Sequence, residues 1–268
     1  MDFSANRTRV TTGLLLAVVP LLAIAMQGWT LFIILTLFCI LAQWEFHGLF
    51  KTAGPGLFHK VLAALCTLPL LLSFKLESNT WVLLCLMGGF WAAGMAFLIR
   101  YSRNPETTDF RTPMIFLCGL IYIPLNFHFF MNFNRAELFL VLLAAVFTDT
   151  AAFYVGTAIG KRKIWPSVSP KKSWAGSLGG LAACMLVTTI MGLSLGNGPV
   201  WAWPLLGAAL NIAAQMGDFF ESALKRALAV KDSGSILPGH GGLLDRVDSL
   251  LLVVPVYALL RTIHPFFG

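Results

Sequence analysis

The stretch "AELFLVLLAAVFTDTAAFYVGTAIGKRK", residues 136–163, decides what kind of molecule this is. It runs apolar for most of its length, holds one acid deep inside, Asp149, and stops at Lys161-Arg162-Lys163. A helix that crosses the hydrocarbon core of a bilayer needs about 20 mostly apolar residues. A basic cluster just beyond such a run marks the cytoplasmic end.

The rest of the chain repeats this pattern. Its 268 residues are 57% hydrophobic and 12% charged, with a mean hydropathy of +0.79, where soluble domains carry about 25% charge. Apolar segments fall at 12–27, 29–44, 60–74, 80–99, 112–130, 136–157, 176–195, 200–216 and 247–264. The expected fold is therefore all-α: a polytopic integral membrane bundle of about nine transmembrane helices. The first run follows Arg7 and Arg9 as a signal peptide would. No small-x-small cleavage site leading into a soluble domain comes after it, so it reads as the first span. Only Gln27-Gly28 separates it from the second, which predicts a tight helical hairpin.

Loop charges set the orientation. With the N-terminus cytoplasmic and every segment crossing, only Lys75, Arg135 and Arg261 of the 19 Lys and Arg fall on the far side. The others, from Arg7, Arg9 and Lys51 to Lys231 and Arg246, are cytoplasmic, as the positive-inside bias requires. The net charge of +7 is thus spread through short loops and does not indicate a nucleic-acid partner; anionic lipid headgroups or phosphates suit it. The five cysteines all sit in apolar runs without metal-ligand or disulfide spacing and read as small core residues. Residues 1–135 are taken as N-terminal spans available for packing or a homodimer, and 136–268 as the catalytic region. A bacterial inner membrane is the expected location, with the site on the cytoplasmic side.

Chemistry-bearing residues gather in that second region. Asp149 is expensive inside the membrane unless paired, hydrated or protonated, so it marks either function or a polar helix contact. The loop "GKRKIWPSVSPKKSWAG", residues 160–176, has three uses open to it: topology signal, lipid binding or phosphate binding. Ser169, Lys171 and Lys172 stand just before the next helix, whose free N–H groups and positive dipole end favour a polyphosphate. "GDFFESALKRALAVKDSGSILPGHGGLLDRVDSLLLVVP", residues 217–255, then concentrates charge that the chain otherwise lacks. On a continuing helix Asp218, Ser222 and Lys225 share a face, with Glu221 and Arg226 beside them. Gly234, Gly239, Gly241 and Gly242 break the chain around His240, letting backbone approach a ligand closely. A helix expected from about Leu244 would carry Asp245 and Asp248 at i, i+3. Two acidic clusters flanking a glycine loop fit a Mg²⁺ site completed by substrate phosphates; they equally fit a solvated loop whose acids neutralise nearby cations.

"SALKRALAVKDSGSILPGHGGLLDRVD", Ser222 to Asp248, resembles the signature of the phosphatidate cytidylyltransferases, or CDP-diacylglycerol synthases. Ser222, Lys225, Arg226, Lys231, Asp232, Pro238, His240, Gly241, Gly242, Asp245, Arg246 and Asp248 stand at that family's spacing. "TDTAAFYVG" and "SPKKSWAG" are similar to family segments too, although Ala175 stands where the family commonly has an acid. The resemblance implies cytidylyl transfer from CTP to phosphatidate with Mg²⁺. Asp218 and Asp245 become the leading metal ligands, with Asp248, Asp149 and Glu221 as further acids. Lys225, Arg226, Arg246 and His240 become catalytic groups. Ser169, Lys171, Lys172, Ser222, Lys231, Gly241 and Gly242 become substrate-binding groups. His240 has three roles open: touching a phosphate, orienting a carboxylate, or shaping the loop. Two alternatives are an ion-coupled transporter, compatible with Asp149 and the broken helices, and a related nucleotidyltransferase acting on another lipid phosphate.

Overall fold

The computed structural model describes residues 3–50 and 56–267. Lys51 and the side chain of Arg9, both part of the charge pattern, lie outside the described residues. Each expected apolar segment is helical over most of its length. Among the described residues there is no strand, only isolated bridges joining Lys163 to Ser173 and Leu237 to Gly241. By internal contacts the chain forms two units: Met1–Met131 with Val230–Asp245, and Asn132–Ala229 with Arg246–Gly268.

The first unit contains α1 (Phe3–Met26), α2 (Gly28–Leu49), α3 (Leu57–Lys75), α4 (Asn79–Arg103), α5 (Arg111–Tyr122) and α6 (Pro124–Phe127). The expected hairpin is present: α1 and α2 meet at Gln27 and Gly28, with φ of 46° and 54°, a left-handed corner that ends one helix before the next begins. The segment 112–130 is not one straight helix. Pro124 has no N–H to donate, so the ladder breaks between α5 and α6, and a 3₁₀ turn, His128–Asn132, follows. Ala63 and Ala93 are fully buried against Phe116 and Leu120 where α3, α4 and α5 pack.

The second unit contains α7 (Arg135–Ile159), α8 (Trp174–Leu195), α9 (Ala202–Ala227) and α10 (Leu250–Ile263). A capping box starts α7: Asn134 Oδ1 accepts from Glu137 N at 3.0 Å, and Glu137 Oε2 accepts from Asn134 N at 2.7 Å. The wholly buried Glu137 also accepts from Tyr257 Oη at 3.1 Å and pairs with Arg261 at 2.7 Å, tying α10 to α7. Ser173 Oγ caps α8 by accepting from Gly176 N at 3.2 Å. α7 and α8 run in backbone contact. A Cβ on Gly176 would lie 2.5 Å from Ala152 O, and one on Gly180 2.8 Å from Thr148 O, the close approach that small residues permit between membrane helices.

Six described segments are long and apolar enough to span a bilayer: Gly28–Leu49, Leu57–Lys75, Asn79–Arg103, Arg111–Asn132, Arg135–Ile159 and Trp174–Leu195. Val10–Met26 and Leu250–Ile263 are shorter apolar helices, and α9 is apolar only before Asp218. Leu65, Phe153, Leu186 and Leu259 are each more than 60% exposed. Water would penalise such surfaces, whereas lipid covers them without cost. The chain is a multi-pass, all-helical membrane protein.

One sequence expectation needs correction. The last helix begins at Leu250, not near Leu244, and Leu244–Arg246 is a 3₁₀ turn. Asp245 and Asp248 therefore precede the helix instead of sharing its face. Their carboxylates are committed to backbone N–H groups of Ser233, Gly242 and Ser249, and such local bonds compete with helical pairing.

Candidate active site

In the second unit, Asp149, Asp218 and Asp248 come together from three elements: the last turns of α7, the middle of α9 and the approach to α10. The α7–α8 backbone contact sets the Thr148–Ala152 turns beside the start of α8. Gly217 lets α9 touch the backbone of Asp248, since a Cβ there would lie 2.5 Å from Asp248 O. Ser249 links two of these elements, donating from Oγ to Asp149 Oδ2 at 3.3 Å and from its N–H to Asp248 Oδ1 at 2.7 Å. Asp218 accepts from Ser222 Oγ at 3.1 Å and pairs with Lys172 at 2.5 Å. Asp218 and Ser222 thus share a face of α9, as the i, i+4 spacing predicts.

The electrostatics of this cluster are unfavourable for three bare charges. The Asp248 carboxyl is pushed up to about 8, first by burial and then by the negative Asp218 and Asp149, which outweigh the Ser249 N–H and Lys225. Among the described residues, no three His, Cys, Asp or Glu side chains close tightly enough to hold a metal by themselves. The donor chemistry nonetheless fits Mg²⁺, which takes one or two carboxylates together with phosphate oxygens and waters. A divalent cation would relieve the repulsion that raises Asp248.

The basic groups differ in availability. Lys172 Nζ also sits over the Phe219 ring at 4.4 Å, and Phe219 in turn meets Trp165 edge-on at 4.7 Å. Lys163 is tied to backbone, donating to Lys171 O at 3.2 Å. Arg226 reaches Val168 O at 3.4 Å, fastening this loop to the end of α9. Lys225 pairs at 3.2 Å with Glu221, which is wholly buried. Lys161, Arg162 and Lys171 are exposed, and Ser169 is half-buried.

The first unit holds the glycine loop, residues 230–245. Asp245 Oδ2 accepts from Ser233 N at 2.9 Å and Gly242 N at 3.1 Å. A Cβ on Gly242 would lie 2.8 Å from that same oxygen, so only glycine fits. Leu237 and Gly241 close a tight turn around His240, with Gly239 at φ 77° and Gly241 at φ 85°. Thr12 Oγ1 donates to Pro238 O at 3.0 Å, and His240 Nε2 would lie 3.8 Å from a Cβ on Gly13, so α1 borders the loop. Lys231 and Arg246 are exposed.

Residues 7–264 match the sequence profile described as "Cytidylyltransferase family". The chain belongs to the cytidylyltransferase family. The phosphatidate cytidylyltransferase of Bacillus subtilis is 34% identical over 272 residues, covering 95% of this chain and 97% of that protein. Those of Staphylococcus haemolyticus and Staphylococcus aureus are each 30% identical, over 95% of this chain and 98% of theirs. The cytidylyltransferase match therefore takes in α1 to α6 as well as the motif-bearing region.

One buried acid is not marked by the sequence pattern. Glu45, near the end of α2, is 3% exposed and organises the glycine loop. Its Oε2 accepts from Leu244 N at 2.9 Å and Ser233 Oγ at 3.4 Å, and its Oε1 from Ile236 N at 3.3 Å. At a span's end an acid reads as an ordinary interfacial charge. Only its setting among Gln43, Trp44, Phe46 and His47 hints at burial.

Proposed function

We propose that this protein transfers the cytidylyl group of CTP to phosphatidate, giving CDP-diacylglycerol and pyrophosphate, with Mg²⁺, at the cytoplasmic side of a bacterial inner membrane. The observation that carries this reading is the family match along residues 7–264, which runs through the three aspartates, the lysine loop and the glycine loop. The nucleophile is a phosphate oxygen of phosphatidate, already ionised at neutral pH. It attacks the α-phosphorus of CTP, and the bond from that phosphorus to the β-phosphate's bridging oxygen breaks. Pyrophosphate leaves with the electron pair. No strong base is required; the tasks are to hold two polyanions together, align them and stabilise the leaving group.

Asp218 and Asp245 are each assigned as metal-ligating acids, with Asp248 and Asp149 as further carboxylates; Mg²⁺ held by such acids would offset phosphate charge. Lys172 stands on Asp218 now and is set to exchange that carboxylate for a phosphate oxygen when substrate and cation arrive. Lys171, Lys225, Arg226, Lys231 and Arg246 supply further positive charge, Ser169 and Ser222 hydroxyl donors, and Gly241 and Gly242 backbone approach. His240 shapes the loop that presents them.

Separate replacement tests the acids. Asp218→Asn and Asp245→Asn should each lower Mg²⁺-dependent turnover at least about 100-fold, with the protein still eluting as a folded species in detergent. Near-normal turnover in either variant removes that residue from the assignment.

A further inference from the structure

Glu45 lies on α2, 188 residues from Ser233, in a region that neither the motif nor the proposed mechanism uses. A carboxylate held at 3% exposure is costly unless its oxygens are satisfied. Here they are satisfied by the glycine loop: Ser233 Oγ, Ile236 N and Leu244 N all donate to it. All these partners are donors, which suits an acceptor-only ionised carboxylate.

The loop is built to receive this side chain. A Cβ on Gly234 would lie 2.6 Å from Glu45 Cδ, so only glycine lets the backbone close over it. Ser233 then passes the constraint onward: its Oγ accepts from Asp245 N at 3.3 Å, and its own N–H donates to Asp245 Oδ2 at 2.9 Å. Glu45, Ser233 and Asp245 form one connected chain of hydrogen bonds. Leu244, bound directly to Glu45, is Asp245's neighbour.

We infer that Glu45 is a positioning residue: it fixes the glycine loop so that Asp245 is presented in one orientation for the cation and phosphates. This rests on the reading of Asp245 as a working acid. Glu45 is not itself assigned to substrate or metal. Its effect reaches the reaction through the Ser233 link and the Leu244 N–H.

The test uses the purified full chain in detergent and two readouts. Hydrogen–deuterium exchange of peptides covering 230–246 follows the loop directly; the Mg²⁺ concentration for half-maximal turnover follows presentation of Asp245. Glu45→Ala should speed exchange in that segment about tenfold or more, leave α7 to α9 unchanged, and raise the half-saturating Mg²⁺ several-fold. Ser233→Ala should raise the Mg²⁺ requirement with a smaller exchange effect. Glu45→Gln, which keeps the shape and one acceptor oxygen, should fall between wild type and Glu45→Ala, and with Ser233→Ala it carries the test if Glu45→Ala does not fold. Wild-type exchange in these variants overturns the inference. So does an unchanged Mg²⁺ requirement while Asp245→Asn is inactive. Normal turnover by Asp245→Asn would instead remove the assignment of Asp245, and the exchange result would still decide whether Glu45 anchors the loop.

Discussion

Lys172 illustrates how a single residue can be half read from sequence. Its place before a helix start makes it a candidate phosphate ligand, but only the structure shows it lying on Asp218 at 2.5 Å and over Phe219. In the proposed reaction Lys172 exchanges this carboxylate for a phosphate. Lys172→Ala should therefore lower turnover about 10- to 100-fold and raise the CTP concentration for half-maximal rate. Lys161→Ala, at an exposed site, should stay near wild type; equal effects of the two in steady-state assays would show that general positive charge, not this placement, matters. Asp149 and Asp218 were legible because an acid beside apolar residues needs a reason to be there. Glu45 was not, because helix-end charge is common and its partners lie far along the chain.

At the scale of elements, the GxxxG spacings Gly156/Gly160 and Gly176/Gly180 permit close helix packing without naming the partners, and the structure brings the backbones of α7 and α8 together at Gly176 and Gly180. That contact places the Asp149 turn beside the start of α8. Gly180→Leu should force the helices apart and cost about 1–3 kcal/mol, seen as a lower midpoint of thermal unfolding in detergent. An unchanged midpoint would mean the helices are not close-packed there. Two features escaped the periodicity. Pro124 breaks a segment whose hydropathy is continuous, and the 3₁₀ turn at Leu244–Arg246 delays α10 because Asp245 and Asp248 bond to nearby backbone. Hydropathy reports where a chain is apolar, not which N–H groups its side chains claim.

For the whole molecule, composition and loop charge carried most of the fold. Apolar runs long enough to span, and basic residues bunched on alternate loops, leave few arrangements open. The assignment of 230–245 to the first unit was invisible, because it depends on contacts between α2 and a loop up to 199 residues away. The orientation predicts thiol labelling. In a cysteine-free variant, cysteine at Lys161 or Lys231 should resist a membrane-impermeant thiol reagent in intact spheroplasts and react after lysis. Cysteine at Lys75 should react in both. The reverse pattern would invert the topology.

The central claim, cytidylyl transfer to a lipid phosphate, has one direct measurement. Purified protein in detergent is given CTP labelled at the α-phosphate, phosphatidate and Mg²⁺, and both pyrophosphate and lipid-extractable label are followed. The account predicts that the two appear in equal amounts, that both need phosphatidate, and that both vanish with chelator or with Asp218→Asn. Absence of pyrophosphate release under these conditions, or release that is independent of phosphatidate, would contradict it.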